Sequence, residues 1–351
     1  METDNPRDSN YWIKRIERRV EMRGEYTRIE IEDQPRVWRY LLDNPPDIKE
    51  IQSKEEIIYF GSGTSYYLAL TAAVFTQYYT GITSRALPSQ ELAFFSKATI
   101  SDRPTLYIGI SRSGETSEVI LAAEKVKEQG KGDFIGVTTE KNKPLAIISD
   151  RAIVIEEAKE KSVVMTKSFT SMVLGIQLGI LGVVDPSIID KIKEDINRVS
   201  KEVLAKAEAW AKEKAKKDYK EIIFLGSGPL YGIACESALK VREMSSSITS
   251  AFHTLEFRHG PRAALSKDTL VLILLSDSAR REELKIASEI KELGSDCTVI
   301  GEELSMNTSL NEFQRAILYM PFSQYLGYYK ALEKGLDPDV PLNLTQVVTI
   351  A

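Results

Sequence analysis

Short apolar runs recur along this chain, and most end in glycine or serine. Ile57-Ile-Tyr-Phe60 runs into Gly61-Ser-Gly63, Leu106 to Ile110 runs into Ser111-Arg-Ser-Gly114, and a third run covers Phe134 to Val137. Each of the first two leads into a helix-like stretch. Strands alternating with helices of this length predict βαβ units and a parallel sheet, with ligands at the carboxyl ends of the strands. The longest apolar stretch, Met172 to Val184, contains Gln177 and is short for a bilayer span, so it predicts a buried core helix or a subunit contact.

The pattern occurs twice. Glu56-Ile-Ile-Tyr-Phe-Gly-Ser-Gly63 returns as Glu221-Ile-Ile-Phe-Leu-Gly-Ser-Gly228, 165 residues later. Thr105 to Ser111 matches Thr269 to Leu275 at an offset of 164, and the amphipathic stretches that follow end at Gly130 and Gly294. A repeat this long is a duplicated domain rather than a solenoid, whose units are far shorter. The expected organisation is an N-terminal helical arm over residues 1–45, densely charged from Arg15 to Arg23, then a first domain at 46–200. A second domain follows at 201–336, and an extended tail at 337–351.

Length and composition support two globular domains, since 43% hydrophobic and 28% charged residues fit neither a disordered chain nor a membrane protein. A formal charge of −5 argues against nucleic acid as the main partner, which requires a basic surface. A small anion remains compatible, because backbone N–H groups bind phosphate in acidic proteins too. Two cysteines in no metal-like pairing, Cys235 and Cys297, and only two histidines argue against a protein zinc site. A reducing, cytoplasmic compartment is the expectation, with no apolar signal segment at the N-terminus and no membrane partner.

Two loops in the first copy are candidates for anion binding. Gly61-Ser-Gly-Thr-Ser65 lacks the third glycine of a dinucleotide fingerprint, Tyr66 standing in its place, and reads either as an anion-binding turn or as a tight packing turn. Ser111-Arg-Ser-Gly-Glu-Thr116 brings three hydroxyls and a glycine to a strand–helix junction. That density favours a phosphate seat over a plain N-cap. The second copy has Ser276-Asp-Ser-Ala there and has lost the glycine, so it is expected to have lost the phosphate. It carries instead Glu236, Lys240 and Glu243 at i, i+4, i+7, one face of a helix, where the first copy has Thr71, Phe75 and Tyr78. The alternative reading is a solvated ion-pair face. His259, in Glu256-Phe-Arg-His-Gly-Pro261, would complete an acid/base pair with Glu243 near neutral pH. One copy would hold phosphate and the other would move protons.

In this order, Gly63-Thr-Ser65, Ser111-x-Ser-Gly-Glu-Thr116, Glu236-x3-Lys240-x2-Glu243 and His259-Gly-Pro261 resemble the double-domain members of the sugar isomerase (SIS) family. The similarity runs from about Ile31 to Thr349. It implies two tandem α/β domains, each a three-layer, flavodoxin-like parallel sheet flanked by helices. It puts Gly63, Thr64, Ser65, Ser111, Arg112, Ser113, Thr116, Thr166 and Glu236 on substrate-binding positions. Glu243 falls on the base that moves a proton between carbons 1 and 2, Lys240 assists it, and His259 falls on a ring-opening residue shared across a homodimer interface. Two positions depart from the glutamine-dependent synthases of the family: Gln346 stands where they carry an imine-forming lysine, and Met165 where they carry serine. Val163-Val-Met-Thr166 resembles the amino-sugar-phosphate deaminases instead, and no glutaminase half is expected. The resemblance thus implies deaminating isomerisation of a 2-amino-2-deoxyhexose 6-phosphate without metal or redox cofactor. A plain phosphosugar isomerase, a deglycase, a synthase using free ammonia and a non-enzymatic sugar-phosphate sensor are the rival readings.

Overall fold

The computed structural model describes residues 23–130, 132–347 and 349. The charged arm expected before residue 23 lies outside them. Five strands, β1 (Glu56–Gly61), β2 (Thr83–Pro88), β3 (Thr105–Ile110), β4 (Gly132–Thr138) and β5 (Arg151–Val154), form one parallel sheet in the order β2-β1-β3-β4-β5. Four more, β6 (Glu221–Gly226), β7 (Thr249–His253), β8 (Thr269–Leu274) and β9 (Asp296–Ile300), form a second in the order β7-β6-β8-β9, also parallel. The duplication read in the sequence is therefore a duplication of strand order. β1, β3 and β8 are buried at every position, which is why they read as unbroken apolar runs: a parallel sheet is covered on both faces.

The longer helices are α1 (Glu25–Glu32), α2 (Gln34–Asp43), α3 (Thr64–Thr80), α4 (Ser117–Gln129), α5 (Lys167–Val184), α6 (Ser187–Ala215), α7 (Leu230–Ser245), α8 (Arg280–Glu292) and α9 (Met320–Glu333). Alternate strand residues divide between two layers. Ile58, Phe60 and Tyr107 pack outward on Val119, Ala122 and Val126 of α4. The second sheet packs Ile223, Val271 and Ile273 on Ile286 and Ile290 of α8 in the same way. The opposite faces, Ile57, Tyr59 and Ile108 of one sheet and Ile222, Phe224 and Leu272 of the other, belong to one continuous core with α3, α5, α7 and α9. Each copy is thus a three-layer unit, and the two share their middle. α5 lies inside that core, every residue from Lys167 to Leu181 being buried. The expected boundary at 200/201 falls inside α6, so a continuous helix joins the copies.

α3 and α7, the helices that follow the two glycine loops, pack against each other along the seam. Gly232 makes this approach close: a Cβ there would stand 2.5 Å from the carbonyl oxygen of Tyr67. Thr71 Oγ1 donates to the Pro229 carbonyl across the same contact, at 3.0 Å. The C-terminal segment is pinned at Asp339, whose Oδ1 accepts from the N–H and hydroxyl of Thr27, each at 2.7 Å, and whose carbonyl accepts from Val163 N–H at 3.2 Å.

Candidate active site

β1 and β3 are neighbours, so the loops leaving their carboxyl ends lie side by side at the edge of a cavity of about 320 Å³. Ser62, Gly63, Thr64 and Ser65 line it from the first loop and Arg112, Ser113 and Thr116 from the second. Gly114 sits at φ 67°, a conformation that side chains rarely adopt, with Lys143 crowding where a Cβ would go. Ser111 lies behind the lining and organises the loop: its Oγ accepts from Gly114 N–H at 3.1 Å and is hydrogen-bonded to Thr116 Oγ1 at 3.0 Å. Helix N-termini, backbone N–H groups and hydroxyls together make a seat for an anion.

The far wall belongs to the second copy. Lys240 and Glu243 of α7 line the cavity, and Glu236 lies one turn behind them. The Lys240 ammonium is ion-paired with Glu243 and stands 3.4 Å from Glu236 Oε1. Lys240 is 1% exposed, Glu236 0% and Glu243 18%, so this is no solvated ion-pair face: of these two glutamates only Glu243 opens to the cavity. Thr64 Oγ1, from the first copy's loop, donates to Glu236 Oε1 at 3.1 Å and ties the two walls together. Burial pushes the Glu236 carboxyl up to about 8, and its Oε2 is buried without a partner, the situation of a neutral acid at neutral pH. Burial alone would lower the Lys240 pKa, but at the higher pH where the ammonium titrates Glu236 is ionised too, and its charge and that of Glu243 outweigh burial and raise the value. The ammonium is therefore a fixed cation beside Glu243.

The corresponding loops of the second copy are closed by its own acid. Glu283, seven residues after Ser276 as Glu118 is after Ser111, is fully buried. It accepts from Ser276 N–H at 2.8 Å, Ser276 Oγ at 3.0 Å and Ser227 Oγ at 2.6 Å. Arg315 pairs with Asp277 at 2.7 Å. A carboxylate of the chain thus ties together Ser276 and Ser227, the counterparts of Ser111 and Ser62, of which Ser62 lines the cavity in the first copy.

The SIS domain model matches residues 50–181 and 217–324, more than half of the chain and both copies. The chain belongs to the SIS domain family. Among solved structures, glucosamine-6-phosphate deaminase from Thermotoga maritima is similar at 30% identity with a TM-score of 0.84, covering 93% of this chain and 100% of that one. The C-terminal domain of glucosamine-fructose-6-phosphate aminotransferase from Francisella tularensis has a TM-score of 0.79 at 23% identity, covering 89% and 97%, a likeness of fold. The glutamine--fructose-6-phosphate aminotransferase of Pseudomonas putida is 27% identical over 313 residues, 82% of this chain and 50% of that protein. The chain spans about half the length of that curated relative. Likeness in family and fold to SIS enzymes, with a buried ionisable cluster opening on a cavity, supports catalytic activity.

Within this SIS architecture the residues singled out from sequence fall into three groups. Gly63, Thr64, Ser65, Arg112, Ser113, Thr116, Lys240 and Glu243 line one cavity. Ser111, Glu236 and Thr166 are buried away from its lining; Thr166 gives both its N–H and its hydroxyl to Glu160, at 2.7 and 3.0 Å. His259 is exposed in a loop that Arg258 holds to Glu289 of α8, and it does not line the cavity of its own chain. Residues not singled out also line it: Ser62, Glu118, Val163, Val164, and the tail residues Leu344 and Thr345 beside Gln346. The tail positions carry no local signal, because their place depends on Asp339 being anchored to α1, more than three hundred residues away in sequence.

Proposed function

We propose that this SIS enzyme is an aldose–ketose isomerase that deaminates a 2-amino-2-deoxyhexose 6-phosphate, such as glucosamine 6-phosphate, to the ketose phosphate and ammonia. One observation carries the reading: the hydroxyl loops of the first copy face the Lys240–Glu243 pair of the second across a single cavity. In this reading the phosphate rests on Ser65, Ser113, Thr116 and Arg112, which directs the carbon chain toward Glu243. Glu243 takes the proton from carbon 2 of the open-chain aldehyde. Charge then builds on O1, near the Lys240 ammonium. The same proton returns at carbon 1, and a proton from the amine nitrogen ends on O1, leaving an imine at carbon 2. Water adds there and ammonia departs, so aldose amine and water become ketose and ammonia. Ring opening falls to His259 of a second copy, in a homodimer. A cytoplasmic location suits two cysteines that are both free and buried.

Support comes from the deaminase likeness at 30% identity and from Gln346, a side chain with no amine for an imine, at the cavity's tail wall. The experiment is incubation with a panel of hexosamine and hexose 6-phosphates, following ammonia and ketose phosphate together. Equal amounts of both from a hexosamine 6-phosphate are expected. Ketose phosphate without ammonia, from a neutral hexose phosphate only, would reassign the chain to a plain isomerase.

A further inference from the structure

Glu160 is a buried carboxylate in a segment whose neighbours form the cavity wall. Its side chain is 0% exposed. Oε1 accepts from Thr166 N–H at 2.7 Å, Thr166 Oγ1 at 3.0 Å and Ser168 N–H at 3.0 Å, while Oε2 accepts from the Ser168 hydroxyl and from Arg112 Nη1, the latter at 3.3 Å. All but the last of these donors belong to the start of α5, where unsatisfied N–H groups favour an anion. The last belongs to the cavity. Arg112 is 9% exposed, and its Nη2 donates to the Gln346 carbonyl at 3.4 Å. Glu160 is the only carboxylate paired with Arg112 among the described residues.

The next residues are held from the other side. Glu30 of α1 accepts from Lys161 N–H and from the N–H and hydroxyl of Ser162. Burial, and then the charge of Glu160, raise the Glu30 pKa, so the two acids repel each other beside Lys161 and Ser162. Two buried acids so close are unfavourable in themselves and persist only where the donors around them are exact in place. Val163, Val164 and Met165, the next three residues, line the cavity.

We propose that Glu160 is a positioning residue for the substrate's phosphate: it fixes the Arg112 guanidinium at the cavity wall and never touches the ligand. The inference rests on the reading of the Ser111–Thr116 loop as the phosphate seat. Two opposite effects of Glu160 must be weighed. As a negative charge it weakens anion binding at a distance. As the partner of a nearly buried guanidinium it keeps that cation where five N–H donors are geometrically useful. The second effect dominates, because the Glu160 charge is already engaged by the start of α5. An unpaired guanidinium would leave the wall for water.

The experiment is calorimetric titration with inorganic phosphate and with glucosamine 6-phosphate, in a double-mutant cycle of Glu160→Gln and Arg112→Met. Glutamine keeps an acceptor for Thr166 and Ser168, and thermal melting checks that each variant folds. Glu160→Gln is expected to weaken both ligands about tenfold in the presence of Arg112 and to change nothing in the Arg112→Met background. Equal losses in both backgrounds, or tighter binding by Glu160→Gln, would overturn the inference. If Glu160→Gln does not fold, Arg112→Lys serves. It keeps the charge but loses the two-sided geometry, so affinity like that of Arg112→Met supports the inference and wild-type affinity overturns it. The underlying reading has its own control: if Ser113→Ala with Thr116→Ala leaves phosphate affinity unchanged, the seat itself is misplaced.

Discussion

Glu236 and Glu283 are both fully buried glutamates, and their surroundings give them opposite tasks. Glu283 is surrounded by hydroxyl and N–H donors and stands in for an anion. Glu236 has Thr64 and Lys240 on one oxygen and nothing on the other, and burial raises its carboxyl from 4.5 to about 8. The sign of the consequence is fixed by linkage. Between those values the folded protein holds a proton that the unfolded chain releases, so stability present below about pH 4.5 is lost as pH rises toward about 8. Glu236→Gln mimics the protonated form and should flatten that dependence. Thermal midpoints recorded from about pH 5 to about pH 8 should fall less for the variant than for wild type; parallel curves would contradict the assignment. The hydroxyl cluster at Ser111–Thr116 and the charged i, i+4, i+7 set Glu236, Lys240 and Glu243 were legible in the sequence because local spacing displays them. Glu160 was not, since its meaning comes from Arg112, 48 residues away.

At the scale of elements, the strands were legible because the central ones are buried on both faces and so read as apolar runs, and the offset of the repeat placed their counterparts. The edges were less legible. β5 has no full counterpart in the second sheet, where Ile300 and Leu304 make only an isolated bridge. The connection between the copies did not show as a break either, because α6 crosses it as one amphipathic helix. What aligns the two walls of the cavity is the contact of α3 with α7. Gly232→Ala tests it directly: besides Thr71 Oγ1 the new methyl meets the Tyr67 carbonyl oxygen and the Thr71 nitrogen, backbone of α3 that cannot turn aside, so the helices must separate. A loss of about 1–3 kcal/mol is expected, the usual range for overpacking. Turnover should fall as well, because Thr64 and Glu236 bridge the same seam. Unchanged melting and unchanged turnover together would show that the seam yields freely.

Over the whole molecule, one core serves two sheets whose loops are furnished differently. The first copy leaves its loop donors open to a cavity; the second closes its own with Glu283 and turns Lys240 and Glu243 toward the same space. His259 alone among the candidate residues is exposed and stands outside that cavity, which fits a role in a neighbouring copy's site. Light scattering should therefore give at least a dimeric mass at working concentration, and a fully active monomer would remove His259 from the reaction. The division of labour itself is tested most directly at carbon 2 of the substrate. Exchange of that proton with deuterated water, followed by NMR on glucosamine 6-phosphate, isolates the step assigned to Glu243 from phosphate binding, which the proposal assigns to the other copy. Glu243→Gln should bind the phosphosugar as wild type does and exchange the proton slower by about a hundredfold or more, the usual worth of a placed general base. Exchange at the wild-type rate in that variant would contradict the account.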